Sequence, residues 1–195
     1  IELNSPSQSK IENGEYILWV GRADTFFKRA DIMLKLARQC PSVPFVAIMN
    51  RRKPQVFDSL VSQAPPNVRI VERVPYHRID NYYANAAALL STSEGEGFPN
   101  AFLQAGKFGS PILSLNVDPG GMISQHGCGI VTYGDQDRLC QEVQRIWQAR
   151  AESYRHQFSN RIQQYVQTYH ALPDRVEELG QTINSAFSSE YQRAA

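Results

Sequence analysis

Ten consecutive residues, Ser91-Thr92-Ser93-Glu94-Gly95-Glu96-Gly97-Phe98-Pro99-Asn100, gather more potential chemistry than any other part of this chain. They follow an apolar run and precede an amphipathic stretch, the place of a strand-to-helix turn. Gly95 and Gly97 permit backbone conformations and close approaches that a Cβ would forbid, and Pro99 suits a first helical position because it has no N–H to waste. The amides of Asn100, Ala101 and Phe102 are then free to face an anion. Glu96 stands just ahead of them, and a carboxylate is a poor phosphate ligand but a good acceptor for sugar hydroxyls. Asn100 and Gln104 are four apart, so they share a helix face, with Gln104 about one turn deeper and within reach of a diol. The same residues also fit an ordinary turn in which Glu96 only complements the helix dipole.

A second loop offers cations. Gly21 and Arg22 end an apolar run, Asp24 follows, and Lys28 and Arg29 precede a helical pattern. Beyond a strand end, Arg22 could clamp a diphosphate by its planar fork and Lys28 as a point charge. A solvated basic turn with Asp24 pairing locally fits the same residues.

Both loops depend on the elements that flank them. Tyr16–Val20, Pro44–Met49, Val68–Val71, Ala86–Leu90, Ile112–Leu115 and Gly129–Thr132 are short apolar runs suited to strands buried on both faces. Helical patterns lie between them over Ala30–Cys40, Gln55–Gln63, Tyr76–Asn85 and Asn100–Phe108. This alternation predicts βαβ units and an α/β fold: a Rossmann-like parallel sheet of about six strands with helices on both faces. Leu139, Val143, Ile146 and Trp147 recur at helical spacing, and further helices are expected over about Ser153–His170 and Asp174–Tyr191, broken at Pro173, as a helical C-terminal extension. Residues 1–14 are polar and resemble a linker or tail, leaving 15–195 as one domain. In such sheets ligands bind beyond the carboxyl ends of the strands, which selects the two loops described.

Composition narrows the classes. At 195 residues, with 42% hydrophobic and 20% charged residues, the chain is an ordinary globular length and composition. A net charge of +1 gives no field that argues for nucleic acid or an anionic membrane. No apolar run approaches the roughly 18 residues of a membrane span, and a cytoplasmic protein without a transmembrane segment is expected. Cys40, Cys128 and Cys140 are odd in number and widely spaced, so packed, reduced thiols are expected in place of a disulfide framework or zinc site. Asp135-Gln136-Asp137 has the spacing of a metal motif but sits where a helix needs a cap. His126 could face a ligand or pack, Arg51-Arg52-Lys53 and Asp118-Pro119-Gly120-Gly121 follow strands as turns, and no Gly-x-Gly-x-x-Gly follows the first strand, which counts against an NAD enzyme.

Several separated motifs then fall in one order: Val20-Gly21-Arg22 with Lys28; Asn67 to Val74; Tyr82-Tyr83-Ala84-Asn85-Ala86; Ser93 to Ala105; and Gly109-Ser110-Pro111-Ile112. From about Tyr16 to Val131 this set resembles the C-terminal domain of retaining glycosyltransferases of the GT-B fold, in the large family that includes the bacterial group 1 enzymes. The resemblance implies one half of a GT-B fold that holds a nucleotide-diphosphate sugar. It implies that Arg22 and Lys28, with Gly21 and the backbone of Gly97, Phe98, Pro99, Asn100 and Ala101, bind the donor diphosphate. Glu96 matches the first Glu of the family's Glu-x₇-Glu motif and would contact the transferred sugar. Gln104 stands where the second Glu binds ribose hydroxyls, and the base would lie near Arg73 and Val74.

Two departures from the family's pattern matter. Gln104 keeps an acceptor oxygen but loses a charge-assisted contact, a loss of about 1–2 kcal/mol in donor binding. The stretch between Arg22 and Lys28 is also longer than the family's, which leaves Arg29 as an alternative phosphate partner. The resemblance further implies no bound metal and no cofactor, a glycan or lipid-linked acceptor held by a domain preceding Ile1, and a full-length hexosyltransferase peripheral to the membrane. This chain alone would then bind donor and transfer nothing. The alternatives are a non-catalytic nucleotide-sugar-binding or regulatory module, and a related nucleotide-sugar enzyme such as a non-hydrolysing epimerase, for which further acid/base candidates are lacking.

Overall fold

The computed structural model describes residues 14–149 and 153–171. The tail before Gly14 and the helix expected over Asp174–Tyr191 lie outside the described residues.

Each expected apolar run forms a strand: β1 (Tyr16–Arg22), β2 (Phe45–Asn50), β3 (Val68–Val71), β4 (Ala86–Ser91), β5 (Ile112–Ser114) and β6 (Gly129–Val131). They pair in parallel in the order β3-β2-β1-β4-β5-β6. Helices α1 (Ala30–Gln39), α2 (Pro54–Ser62), α3 (Tyr76–Ala84), α4 (Asn100–Lys107), α5 (Gln136–Gln148) and α6 (Ser153–His170) cover the sheet.

Alternation along the strands sends side chains to two separate cores. Ile17 and Trp19 of β1, with Phe45, Ala47 and Met49 of β2, pack on α1, α2 and α5. Tyr16 and Leu18, with Val46 and Ile48, pack on the side of α3, α4 and α6. Burying side chains such as these contributes about 1.5–3 kcal/mol each. The alternation slips once, at Ala87, where Tyr16 pairs with Ala86 but Ile17 pairs with Ala88. That extra residue puts Ala87 and Ala88 in the same core.

Two motif residues have structural tasks. Asn67 donates its side-chain amide to the carbonyls of Ala37, Cys40 and Val43, tying the end of α1 to β3. The Ser110 hydroxyl donates to the Tyr83 carbonyl at 2.7 Å, joining the ends of α3 and α4. Helix α6 returns across α4, and a Cβ on Gly106 would lie 2.4 Å from Val166 Cγ2, so only glycine lets these helices meet so closely. The thiols of Cys40 and Cys140, distant in sequence, lie 3.1 Å apart between α1 and α5, and all three cysteines are free.

Candidate functional site

The strand order reverses between β1 and β4. Chain leaving β1 turns to one face of the sheet and chain leaving β4 to the other, so a crevice opens between the two loops at their carboxyl ends. Both loops singled out from the sequence therefore meet. The crevice, lined by Lys28, Ser91, Ser93, Pro99 and Ala101 over a floor of Trp19 and Leu90, encloses about 10 Å³. That is room for about one water molecule, so the site is a shelf along the loop edges rather than a closed pocket.

The β1–α1 loop is shaped by Asp24. Its carboxylate accepts the amides of Phe27 and Lys28 at 2.8 and 2.7 Å, and its carbonyl accepts the Ala30 amide at 3.0 Å. Asp24 also meets Arg22 at 3.4 Å, so its pairing is local, though it organises the whole turn. Arg29 caps α1 in the left-handed region, with φ 50°, an uncommon conformation for a residue with a side chain. Hydrogen bonding to Asp31, with Glu94 adding to it, raises the pKa of the Arg29 guanidinium. Arg29 is thus engaged by two carboxylates, whereas Arg22 lies at the open end of β1 with its guanidinium 6.0 Å from the Phe27 ring.

The β4–α4 loop is strapped onto this turn. The Glu94 amide donates to the Phe27 carbonyl at 2.9 Å, and the Lys28 ammonium pairs with the Glu96 carboxylate. Glu94 also accepts from the Asn116 side chain at 3.1 Å. Lys28, Glu96 and the start of α4 therefore converge.

The glycines and Pro99 differ from expectation in detail. Neither Gly95 nor Gly97 adopts a left-handed φ, and a Cβ on either would meet no atom within 4 Å. What they leave is empty space in front of the backbone, the second of the two uses expected of them. Pro99 is the residue before α4 rather than its first, and its carbonyl accepts the Phe102 amide at 2.9 Å. The expected trio of free amides is therefore a pair, Asn100 and Ala101. Phe98 is partly exposed and meets the His170 ring at a tilt of 51°, with a centroid distance of 4.7 Å. Gln104 Oε1 is buried without a hydrogen-bond partner.

Gly21 has a structural reason of its own: a Cβ there would fall 2.8 Å from the Trp19 ring. Arg73 and Val74 follow β3, with β2 between that strand and β1, about 10 Å from the crevice at ordinary strand spacing. Asp135 caps α5 by accepting the Arg138 amide at 2.9 Å. His126 packs its ring on Tyr165 and Tyr169 of α6 at 4.8 and 5.3 Å. Arg51 pairs with Asp58 at 2.9 Å, and Asp118 caps the following turn through the Ile123 amide at 2.7 Å. Among the described residues no group of His, Cys, Asp and Glu could hold a metal ion, and no helix is long and apolar enough to cross a membrane.

Thr92 lies in the turn singled out from the sequence, which assigned it no role. Fully buried at the end of β4, it accepts the Trp19 indole N–H at 2.9 Å and faces the Lys28 and Arg29 carbonyls at 2.8 and 3.0 Å. Its one signal was a pair of polar residues, Ser91 and Thr92, placed directly after the apolar run Ala86–Leu90.

Several solved structures share this fold. A variant of TarM from S. aureus, in complex with fondaparinux, α-GlcNAc-glycerol and UDP, aligns with a TM-score of 0.73 at 12% identity over 93% of this chain. Sucrose-phosphate synthase from Thermosynechococcus elongatus gives 0.77 at 19% identity over 90%, and Anabaena HepE with UDP and glucose gives 0.73 at 17% over 90%. The chain spans only 37%, 46% and 50% of those three proteins, and its six-stranded Rossmann-like unit is one half of their GT-B fold. No curated protein matches it. The family model described as "Glycosyl transferases group 1" matches residues 14–149, and the chain belongs to that family.

Proposed function

We propose that this domain binds the nucleotide-diphosphate sugar of a retaining hexosyltransferase and that a second domain brings the acceptor. The observation that carries this reading is the convergence of Lys28, Glu96 and the open amide end of α4 at the switch point between β1 and β4. A diphosphate laid along the shelf meets Arg22, Lys28 and the amides of Asn100 and Ala101, with Gly21, Gly97, Phe98 and Pro99 as the surrounding backbone. Gly95 and Gly97 let it come close, since nothing stands in front of them. Glu96 accepts hydroxyls of the transferred sugar. Gln104 Oε1, buried and unpartnered, supplies an acceptor for a ribose hydroxyl, and the base extends toward Arg73 and Val74 at the β3 edge.

Chemically, the bond from the anomeric carbon to the diphosphate breaks with its electron pair going to the phosphate oxygen, an acceptor hydroxyl oxygen bonds to the same carbon, and the hydroxyl proton passes to the departing diphosphate. The cations and amides stabilise that developing charge, while Glu96 holds the ring in place. No cofactor and no metal is assigned a step.

A glycan or lipid-linked acceptor is assigned to the second domain. A crevice of about 10 Å³ is far below the several hundred Å³ of a ligand pocket, so another wall must close over the donor. Aromatic side chains on the same rim favour such a wall: Phe26, Tyr76 and Tyr133 are 74%, 86% and 67% exposed. Coverage of half or less of the matched structures agrees. The full enzyme would work in the cytoplasm, peripheral to the membrane, and this domain alone would not transfer sugar.

Gln104 favours a second reading, a nucleotide-sugar-binding module without turnover, because it lacks the charge of the family's second glutamate. Calorimetric titration with UDP-, GDP- and ADP-sugars, repeated with Glu96→Ala and Lys28→Ala, tests the first claim common to both. Binding of one class, weakened by both substitutions, is expected. Absence of any binding at millimolar concentration overturns the donor assignment.

A further inference from the structure

Lys28 sits on a loop and carries a flexible four-carbon stem, so something must hold its backbone if its ammonium is to act as a fixed charge. From below, Asp24 takes the amides of Phe27 and Lys28. From the side of β4, a single hydroxyl takes the carbonyls. Thr92 Oγ1 receives the Trp19 indole N–H at 2.9 Å and has one proton to give, with the Lys28 carbonyl at 2.8 Å and the Arg29 carbonyl at 3.0 Å to accept it. Thr92 has no exposed surface, and Trp19 is 2% exposed, so these bonds are protected from water.

The contacts form a chain from one strand to the other. Gly21 leaves the space that the Trp19 ring fills, Trp19 orients the Thr92 hydroxyl, and Thr92 holds the turn where Arg29 enters the left-handed region. That backbone conformation costs about 1 kcal/mol and needs support. Thr92 and the Glu94 amide grip the backbone of the β1–α1 loop from the β4 segment, beside the side-chain pairs Arg29–Glu94 and Lys28–Glu96, and the Glu94 amide reaches only Phe27.

We propose that Thr92 is a positioning residue for Lys28: its hydroxyl sets the Lys28 ammonium at the height of Glu96 and of the α4 amides, and so tunes the diphosphate subsite without touching the ligand. The proposal rests on the donor-binding reading for its consequence, though not for its structural core. Valine in place of Thr92 keeps the shape but removes the partner of the indole N–H and of the Lys28 carbonyl, while the Arg29 carbonyl keeps the amides of Ile32 and Met33.

The test uses UDP as the probe by calorimetry on this chain with Thr92→Val, Thr92→Ser, Lys28→Met and the Thr92→Val/Lys28→Met double variant, each checked for stability by urea denaturation. Thr92→Val should weaken UDP binding about 5- to 10-fold, and Thr92→Ser should stay within about twofold of the parent. The double variant should bind no more weakly than Lys28→Met alone, because Thr92 acts through Lys28. Equal losses of Thr92→Val in the two backgrounds, or no loss, overturn the proposal. Amide hydrogen exchange on ligand-free protein decides it even if UDP does not bind. Protection at Phe27 and Lys28 should fall in Thr92→Val and persist in Thr92→Ser, and unchanged protection sinks the idea, whereas absence of binding of UDP, GDP and ADP alike by the parent sinks only the donor reading.

Discussion

The Lys28 ammonium and the Glu96 carboxylate close an ion pair across the gap between β1 and β4, each side chain about one-fifth exposed. The two groups assigned to diphosphate and sugar therefore neutralise each other when no donor is bound. On the proposed reading, donor binding would redirect Lys28 from a carboxylate to a phosphate, and Glu96 from an ammonium to a hydroxyl.

Glu96→Gln should separate these partners. A partly exposed pair contributes about 0.5–1 kcal/mol, so freeing Lys28 is expected to tighten bare UDP about two- to fivefold. The same variant should lose much of whatever affinity the sugar adds. Calorimetry with UDP and with the preferred UDP-, GDP- or ADP-sugar measures both terms, and weaker binding of the bare diphosphate would show that Glu96 does not restrain Lys28.

Glycines of two kinds should behave oppositely. Gly95→Ala and Gly97→Ala put a methyl into open space at an ordinary φ, so melting temperature should hold while nucleotide affinity drops. Gly106→Ala drives its methyl to 2.4 Å from Val166 Cγ2 in the α4–α6 contact. Overpacking of about 1–3 kcal/mol outweighs the gain of up to about 1 kcal/mol in helix propensity. Stability should fall for this variant alone, and thermal denaturation beside UDP titration tells the two kinds apart.

How much of this could be read in advance follows from the range of the interactions. Apolar runs marked all six strands to within a residue or two, most firmly for the central β2, β4 and β5, whose burial on both faces leaves little other composition, whereas the edge strands β3 and β6 are only partly buried. That Glu96, Lys28 and the α4 terminus would meet beyond the strand ends was legible, because the alternation of strands and helices fixes which loops share that edge. Pro99 was placed one residue late, since the final turn of a loop depends on the carbonyl that takes the Phe102 amide. Thr92 and the Cys40–Cys140 contact were not legible at all. Each is a meeting of segments far apart in sequence, and a threonine or cysteine carries no mark of the partner the fold will bring to it.

Gln104→Leu tests the ribose assignment without a charge. Because Oε1 is buried and unpartnered, replacing it by an apolar group should leave stability unchanged or slightly raised. Affinity for UDP should fall while affinity for inorganic pyrophosphate stays the same. Equal affinities for both ligands before and after the change would remove Gln104 from the ribose subsite. Gln104→Glu should instead destabilise the free protein, since it buries a carboxylate, and burial raises that group's pKa. Its gain in UDP affinity should therefore grow with rising pH as the carboxylate ionises.

The alkaline limb of stability should trace to buried acids. Burial pushes the Cys128 thiol up to about 12, with the Asp118 charge adding to it, and burial likewise pushes the Tyr16 hydroxyl up to about 12. Cys40 is raised in the same direction, first by burial and then by its hydrogen bond to Cys140. In the unfolded chain these thiols titrate near 9 and the tyrosine near 10. Above pH 9 the unfolded chain releases protons that the folded chain keeps, so each rise in pH favours unfolding. The stabilisation is complete below pH 9 and is lost progressively toward pH 12. One proton of difference corresponds to a slope of at most about 1.4 kcal/mol per pH unit. Urea denaturation between pH 8 and 11 should therefore show a falling midpoint, with a shallower fall in Cys128→Ala despite its lower starting stability. A fall equally steep in that variant would mean that Cys128 is not held protonated by the fold.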